Sequence, residues 1–170
     1  MYEPKFPTPN CAACPAMKMI GPAGYETRYC TGFSGKKQKR LPKTGLKRCV
    51  TPWCPKMICP PRCNILGFAD DNQAMMEQMM NFDILAKGKD FASPMEYRYK
   101  QRCTVPLNMS AKVFWDEVHI TPLTTLFPDT AFIFGEIVGI DDGFKPYYFY
   151  YAGDGKFLPA PMFNGSKVQR

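Results

Sequence analysis

Seven of the chain's eight cysteines fall before residue 64: Cys11, Cys14, Cys30, Cys49, Cys54, Cys59 and Cys63, with Cys103 alone further on. The same stretch, residues 1–67, holds ten of the 17 prolines. Proline fixes φ and removes a backbone donor, so long helices and central strands are disfavoured there. Large apolar side chains are sparse in it. A segment of fewer than ~70 residues with so little to bury cannot offset chain entropy without cross-links. The cysteines sit where cross-links are needed.

The compartment decides which cross-link to expect. The N-terminus, Met1-Tyr2-Glu3-Pro4-Lys5-Phe6-Pro7, has no basic region followed by an apolar stretch, so no secretory signal is read there and a cytoplasmic location is expected. No run of 18 apolar residues suggests a membrane span. In a reducing compartment clustered cysteines more often bind metal than form disulfides. Zinc takes four ligands in a tetrahedron, and thiolate suits it. Cys11-x2-Cys14 is the strongest local element, because two intervening residues let both sulfurs face one ion. Cys49-x4-Cys54-x4-Cys59-x3-Cys63 follows, with prolines stiffening its loops.

One or two zinc ions are expected. One layout gives Cys11, Cys14, Cys30 and Cys49 to the first. Cys54, Cys59 and Cys63 would need a further ligand for the second, Cys103 or His119, the one histidine. Pairing does not follow from spacing. An iron–sulfur cluster is the rival, but the spacing matches neither ferredoxin pattern. A closed four-ligand site has no open position for catalysis, so the expected role is structural.

Charge is divided as unevenly as cysteine. Residues 1–67 carry 12 Lys/Arg against 2 Asp/Glu, whereas residues 68–170 carry 10 against 13. Lys36, Lys37, Lys39, Arg40, Lys43, Lys47 and Arg48 follow one another with no intervening acid. Gly35, Pro42 and Gly45 break the run into a loop or ribbon. Such a segment, displayed between Cys30 and Cys49, suits phosphate contacts that release counterions. Tyr25, Tyr29, Phe33 and Trp53 lie near enough in sequence to stack on unpaired bases. The expected partner is nucleic acid, or failing that an acidic or nucleic-acid-binding protein surface.

Residues 68–170 read as a small α+β unit. A helix is expected over 70–87, opened by Asp70 and Asp71. Met75, Met76, Met79, Met80 and Leu85 recur at helical spacing, and this stripe is expected to pack on a sheet rather than to form an adaptable binding groove. Strands are expected over 95–105, 112–120, 131–140, 147–152 and 156–158, separated by turn residues. Together they predict a small antiparallel sheet or partly open barrel. No internal repeat is evident.

No catalytic centre emerges. Asp116-Glu117-x-His119 would be split between the two faces of a strand. Pro128-Asp129 and Glu136 fit part of a metal-dependent nuclease pattern, but Ile137 and Val138 stand where its lysine is needed. The expectation is a non-enzymatic, zinc-stabilised protein contacting nucleic acid or a nucleic-acid–protein complex. The alternative is a protein-binding inhibitor or adaptor, of regulatory, phage or mobile-element type, that blocks a larger nucleic-acid enzyme. An iron–sulfur or redox protein is the third reading.

Overall fold

Two short β-forming runs, Met17–Ile20 and Thr27–Cys30, flank a Gly-Pro-Ala-Gly turn and build a sheet inside the proline-rich region. The computed structural model describes residues 3–47, 50–86 and 94–169. Strand β1 (Met17–Ile20) pairs antiparallel with β2 (Thr27–Cys30), setting Met17 opposite Cys30. Strand β3 (Lys39–Arg40) adds to the other edge of β2. Leu41 and Leu46 are buried with Cys11, and Met17, Cys30, Val50 and Trp53 pack against them.

The chain falls into two units. Phe6–Met57 form one, and Met1–Lys5 with Ile58–Arg170 form the other. The second begins ten residues before the expected boundary at 67, because strand β4 (Arg62–Phe68) lies inside its sheet. Helix α1 (Asp71–Ala86) follows, with Asp70 Oδ1 accepting from Gln73 N at 2.9 Å. A 3-10 turn at Glu96–Arg98 leads into β5 (Tyr99–Val105). Then come α2 (Ala111–Glu117), α3 (Leu123–Leu126), β6 (Ile137–Asp141), β7 (Tyr147–Tyr151) and β8 (Phe157–Pro159). The sheet order is β5-β4-β6-β7-β8, every pair antiparallel. It is open, so the fold is α+β with a sheet and not a barrel.

One face of this sheet carries Leu66, Phe68, Tyr99, Ile137 and Tyr150, with Ala74 and Leu85 of α1 and Phe163 against it. Alternation puts Cys63, Ile65, Val138, Ile140 and Phe149 on the other face. There Phe114 of α2 meets Phe149 and Phe157, with ring centroids 5.0 and 5.5 Å apart.

Three expected strands need correction, the first of them, over 95–105, beginning only at Tyr99 after the 3-10 turn. Residues 111–117 form a helix rather than part of a strand over 112–120. Ser110 Oγ accepts from Val113 N at 3.3 Å, and Ala111, Phe114 and Val118 are buried at helical spacing. The β-branched and aromatic residues between them had imitated a strand. The run 131–140 is strand only from Ile137, because Gly135 turns the chain at φ +94°. A Cβ on Gly135 would stand 2.7 Å from Phe68 Cζ and 3.1 Å from Glu77 Cγ. Gly135→Ala is therefore expected to cost about 3 kcal/mol through backbone strain and overpacking. The midpoint of urea unfolding, followed by Trp115 fluorescence, would measure it.

Helix α1 departs from expectation in part: Leu85 of the expected stripe packs on the sheet, but its four methionines face outward. Glu77 and Asn81 are buried, whereas Met75, Met76, Met79, Met80 and Phe82 are exposed. The reason is a polar anchor. Glu77 accepts from Arg98 Nη1 at 2.9 Å, from the Tyr150 hydroxyl at 3.0 Å and from the Asn81 amide. Burial opposes the charge on Arg98, but hydrogen bonds to Tyr97 and Glu77 and the Glu77 charge raise its pKa on balance. A buried carboxylate with three donors cannot turn to solvent without leaving those donors unpaired.

Candidate metal centre and basic face of the N-terminal unit

Two turns of the same design carry cysteines. In the first, Asn10 Oδ1 accepts from Ala13 N, Cys11 O from Cys14 N and Cys14 O from Met17 N, at 2.9, 3.2 and 3.0 Å. In the second, Thr51 O accepts from Cys54 N and Cys54 O from Met57 N, at 3.0 and 3.2 Å. Cys14-Pro15-Ala16-Met17 and Cys54-Pro55-Lys56-Met57 share a Cys-Pro-x-Met sequence. No internal repeat was expected from the sequence, and this four-residue one stands out only because both copies fold alike. Ala12 N donates to Leu46 O at 3.0 Å, tying the first turn to the end of the basic segment.

Cys30 is placed by the sheet. Its partner across the ladder is Met17, three residues beyond Cys14. A Cβ on Gly32 would meet Ala16 Cβ at 3.4 Å, Pro55 Cγ at 3.4 Å and Cys30 Sγ at 3.6 Å. Cys30 and the residues following Cys14 and Cys54 therefore surround one point, and Cys30 also packs against the cluster holding Cys11. Cys49 lies outside the described residues. Among the described residues, no three Cys, His, Asp or Glu side chains stand close enough together to hold an ion.

The remaining candidates belong to the C-terminal unit. Cys59 is exposed. Cys63 is fully buried in β4, and burial, with Cys103 nearby, pushes its thiol up to about 12. His119 follows α2, its ring 4.4 Å from that of Trp115 and its Nδ1 against Trp115 O. Asp116 pairs with Lys112, and Glu117 accepts from Thr121 Oγ1 at 2.6 Å. Glu136 is buried and takes Arg102 on both oxygens, at 2.7 and 2.8 Å, and Ile133 N at 3.0 Å. Each acid or imidazole weighed for catalysis thus has a local structural contact, apart from Asp129, which is exposed.

The basic segment is anchored. Lys36, Lys37, Lys39, Arg40, Lys43 and Lys47 are exposed, while Leu41 and Leu46 from the same run are buried. Arg48 lies outside the described residues. Lys39 Nζ stands 4.5 Å from the Trp53 ring centroid, and Trp53 stacks on Phe33 with centroids 6.0 Å apart. Tyr25 is 83% exposed in the β1–β2 turn, whereas Tyr29 is half-buried. Phe6–Met57 contain ten Lys/Arg and one Asp/Glu. The C-terminal unit holds a cleft of about 540 Å³, lined in part by Asn64, Tyr147, Tyr148, Phe163 and Gln169, which the sequence reading did not foresee.

These features define a two-unit α+β chain with a cysteine-bearing basic unit. No family model, no curated protein and no solved structure matches it. Among the described residues, no helix is long and apolar enough to cross a membrane.

Proposed function

We propose that Phe6–Met57 form a zinc-stabilised unit that binds nucleic acid through its basic segment, without catalysis. The ion would take its ligands from Cys11, Cys14, Cys30, Cys54 and Cys49, the thiols of this unit. Zinc would supply cross-linking to a core with only a few buried side chains. Bringing the sulfurs onto an ion would close the two Cys-Pro-x-Met turns around Cys30. The basic segment between them would then stand on a rigid base.

The observation that carries this reading is the division within that segment. Its leucines are buried and its cations are exposed. Six exposed cations within twelve residues of an anchored backbone suit a polyanion, because neutralising its phosphates releases counterions. The Phe33–Trp53 pair beside Lys39 offers an aromatic surface for a base.

Fluorescence anisotropy with single-stranded and duplex DNA and RNA across a salt series tests it. Affinity should fall steeply with salt. Changing Lys36, Lys37, Lys39, Arg40, Lys43 and Lys47 to Gln should flatten the log–log slope by about 4–5 and weaken binding about 1,000-fold. Failure to retain any of these nucleic acids at low salt would remove the reading.

A further inference from the structure

We infer that the outward face of α1 is a self-association surface, on which a second copy of this chain packs its own α1 antiparallel. Met75, Met76, Met79, Met80 and Phe82 are 55, 45, 75, 48 and 60% exposed. Met75 and Met79 form one i,i+4 row, and Met76 and Met80 form a second beside it. The Phe82 ring stands 5.6 Å from Phe134, and Ile133 is 49% exposed, so the apolar surface continues beyond the helix. The helix cannot hide this face by rolling, because Glu77 is held on the inward side by Arg98 and Tyr150.

The area selects the occupant. The five side chains expose together roughly 500 Å², the upper end of what a monomer ordinarily leaves open. Pairing the face with a second copy would bury up to roughly 1,000 Å² in all, and Ile133 and Phe134 bring the total toward the ~1,200 Å² at which specific interfaces begin. Two adjacent i,i+4 rows are the ridges that interlock when helices cross, and unbranched methionines adjust to one another at small cost. Antiparallel packing also sets opposite ends of the two helix dipoles together. Met79, the most exposed of the five, lies at the crossing point and meets its own copy.

This pairing does not rest on the metal or nucleic-acid reading. The test is sedimentation of the full chain, treated with nuclease, in about 0.5 M salt to suppress bridging by polyanions. At about 100 µM the wild type should be a dimer. Met79→Lys should raise the dissociation constant at least ~100-fold. Met162→Lys, at an equally exposed methionine elsewhere, should leave it unchanged. A photo-crosslinking residue at position 79 should give dimers joined at that position in both copies. A monomeric wild type would overturn the inference and leave the face to a different protein. So would a dimer that Met79→Lys preserves, that Met162→Lys also abolishes, or that crosslinks elsewhere.

Discussion

Replacing Cys11 and Cys14 together by serine should unfold Phe6–Met57 and leave the five-stranded sheet standing. The buried cluster of the N-terminal unit is small: Cys11, Leu41 and Leu46, with partly buried neighbours. Apolar burial of two leucines supplies about 3–6 kcal/mol, far below the ordering cost of some fifty residues. Structural zinc in small domains contributes about 10–16 kcal/mol at neutral pH, so on the proposed zinc reading the loss of two thiolates would remove most of what holds the unit. The two tryptophans separate the outcomes, since Trp53 lies in the N-terminal unit and Trp115 in the C-terminal one. Emission of Trp53 should shift to that of a solvated indole, while Trp115, stacked on Phe149, should not change. Chelation of the wild type should do the same. Cys59→Ser, at an exposed position of the other unit, should have little effect. A zinc-free native mass, with Trp53 indifferent to chelator, would show that the unit stands without metal.

The second large effect concerns the buried anchor of α1. Glu77→Leu leaves the Arg98 guanidinium buried without its carboxylate and takes the acceptor from Tyr150 and Asn81. Breaking a buried pair in this way costs about 3–5 kcal/mol. Arg98→Met should cost a similar amount, because it strands Glu77 instead. The double variant Glu77→Leu with Arg98→Met should be less damaging than the sum of the two, by about 2 kcal/mol or more, since no unpaired charge then remains inside. Urea unfolding of a Trp53→Phe background, read by Trp115, measures all four corners of this cycle. Strict additivity would mean that the two side chains do not act as a pair.

Several elements were legible because their signals are local. The helix expected over 70–87 occupies Asp71–Ala86, with residue 87 outside the described residues. The strands expected at 147–152 and 156–158 appear as β7 and β8. The error at 112–120 is instructive. Val113 and Trp115 suggested β structure, but the serine before Ala111 caps a helix, and the buried positions Ala111, Phe114 and Val118 follow its period. Strand β4 escaped notice because it lies in a cysteine-rich stretch. Its apolar run is short and continuous, the pattern of a strand covered on both faces, which periodicity alone does not distinguish.

The candidate site was legible only in its chemistry. Cysteine spacing and the charge run identified which residue types were concentrated before residue 64. They did not show that Cys59 and Cys63 belong to a different unit from Cys11, Cys14, Cys30 and Cys54. That assignment depends on which sheet β4 joins, a matter of partners distant in sequence.

The amino-acid sequence by itself determined the α+β composition, the separation of charge and the placing of most thiols in a segment too poor in apolar residues to make a large core. These depend on residue type and near-neighbour spacing. Only the tertiary structure decided which side of α1 faces inward. The methionine stripe gave every local reason to bury itself, yet Leu85 alone of it packs on the sheet, while a carboxylate satisfied by Arg98, Tyr150 and Asn81 is buried and the methionines face outward. Two of the three donors that meet Glu77 come from residues 98 and 150, far along the chain, and a helical period carries no trace of them.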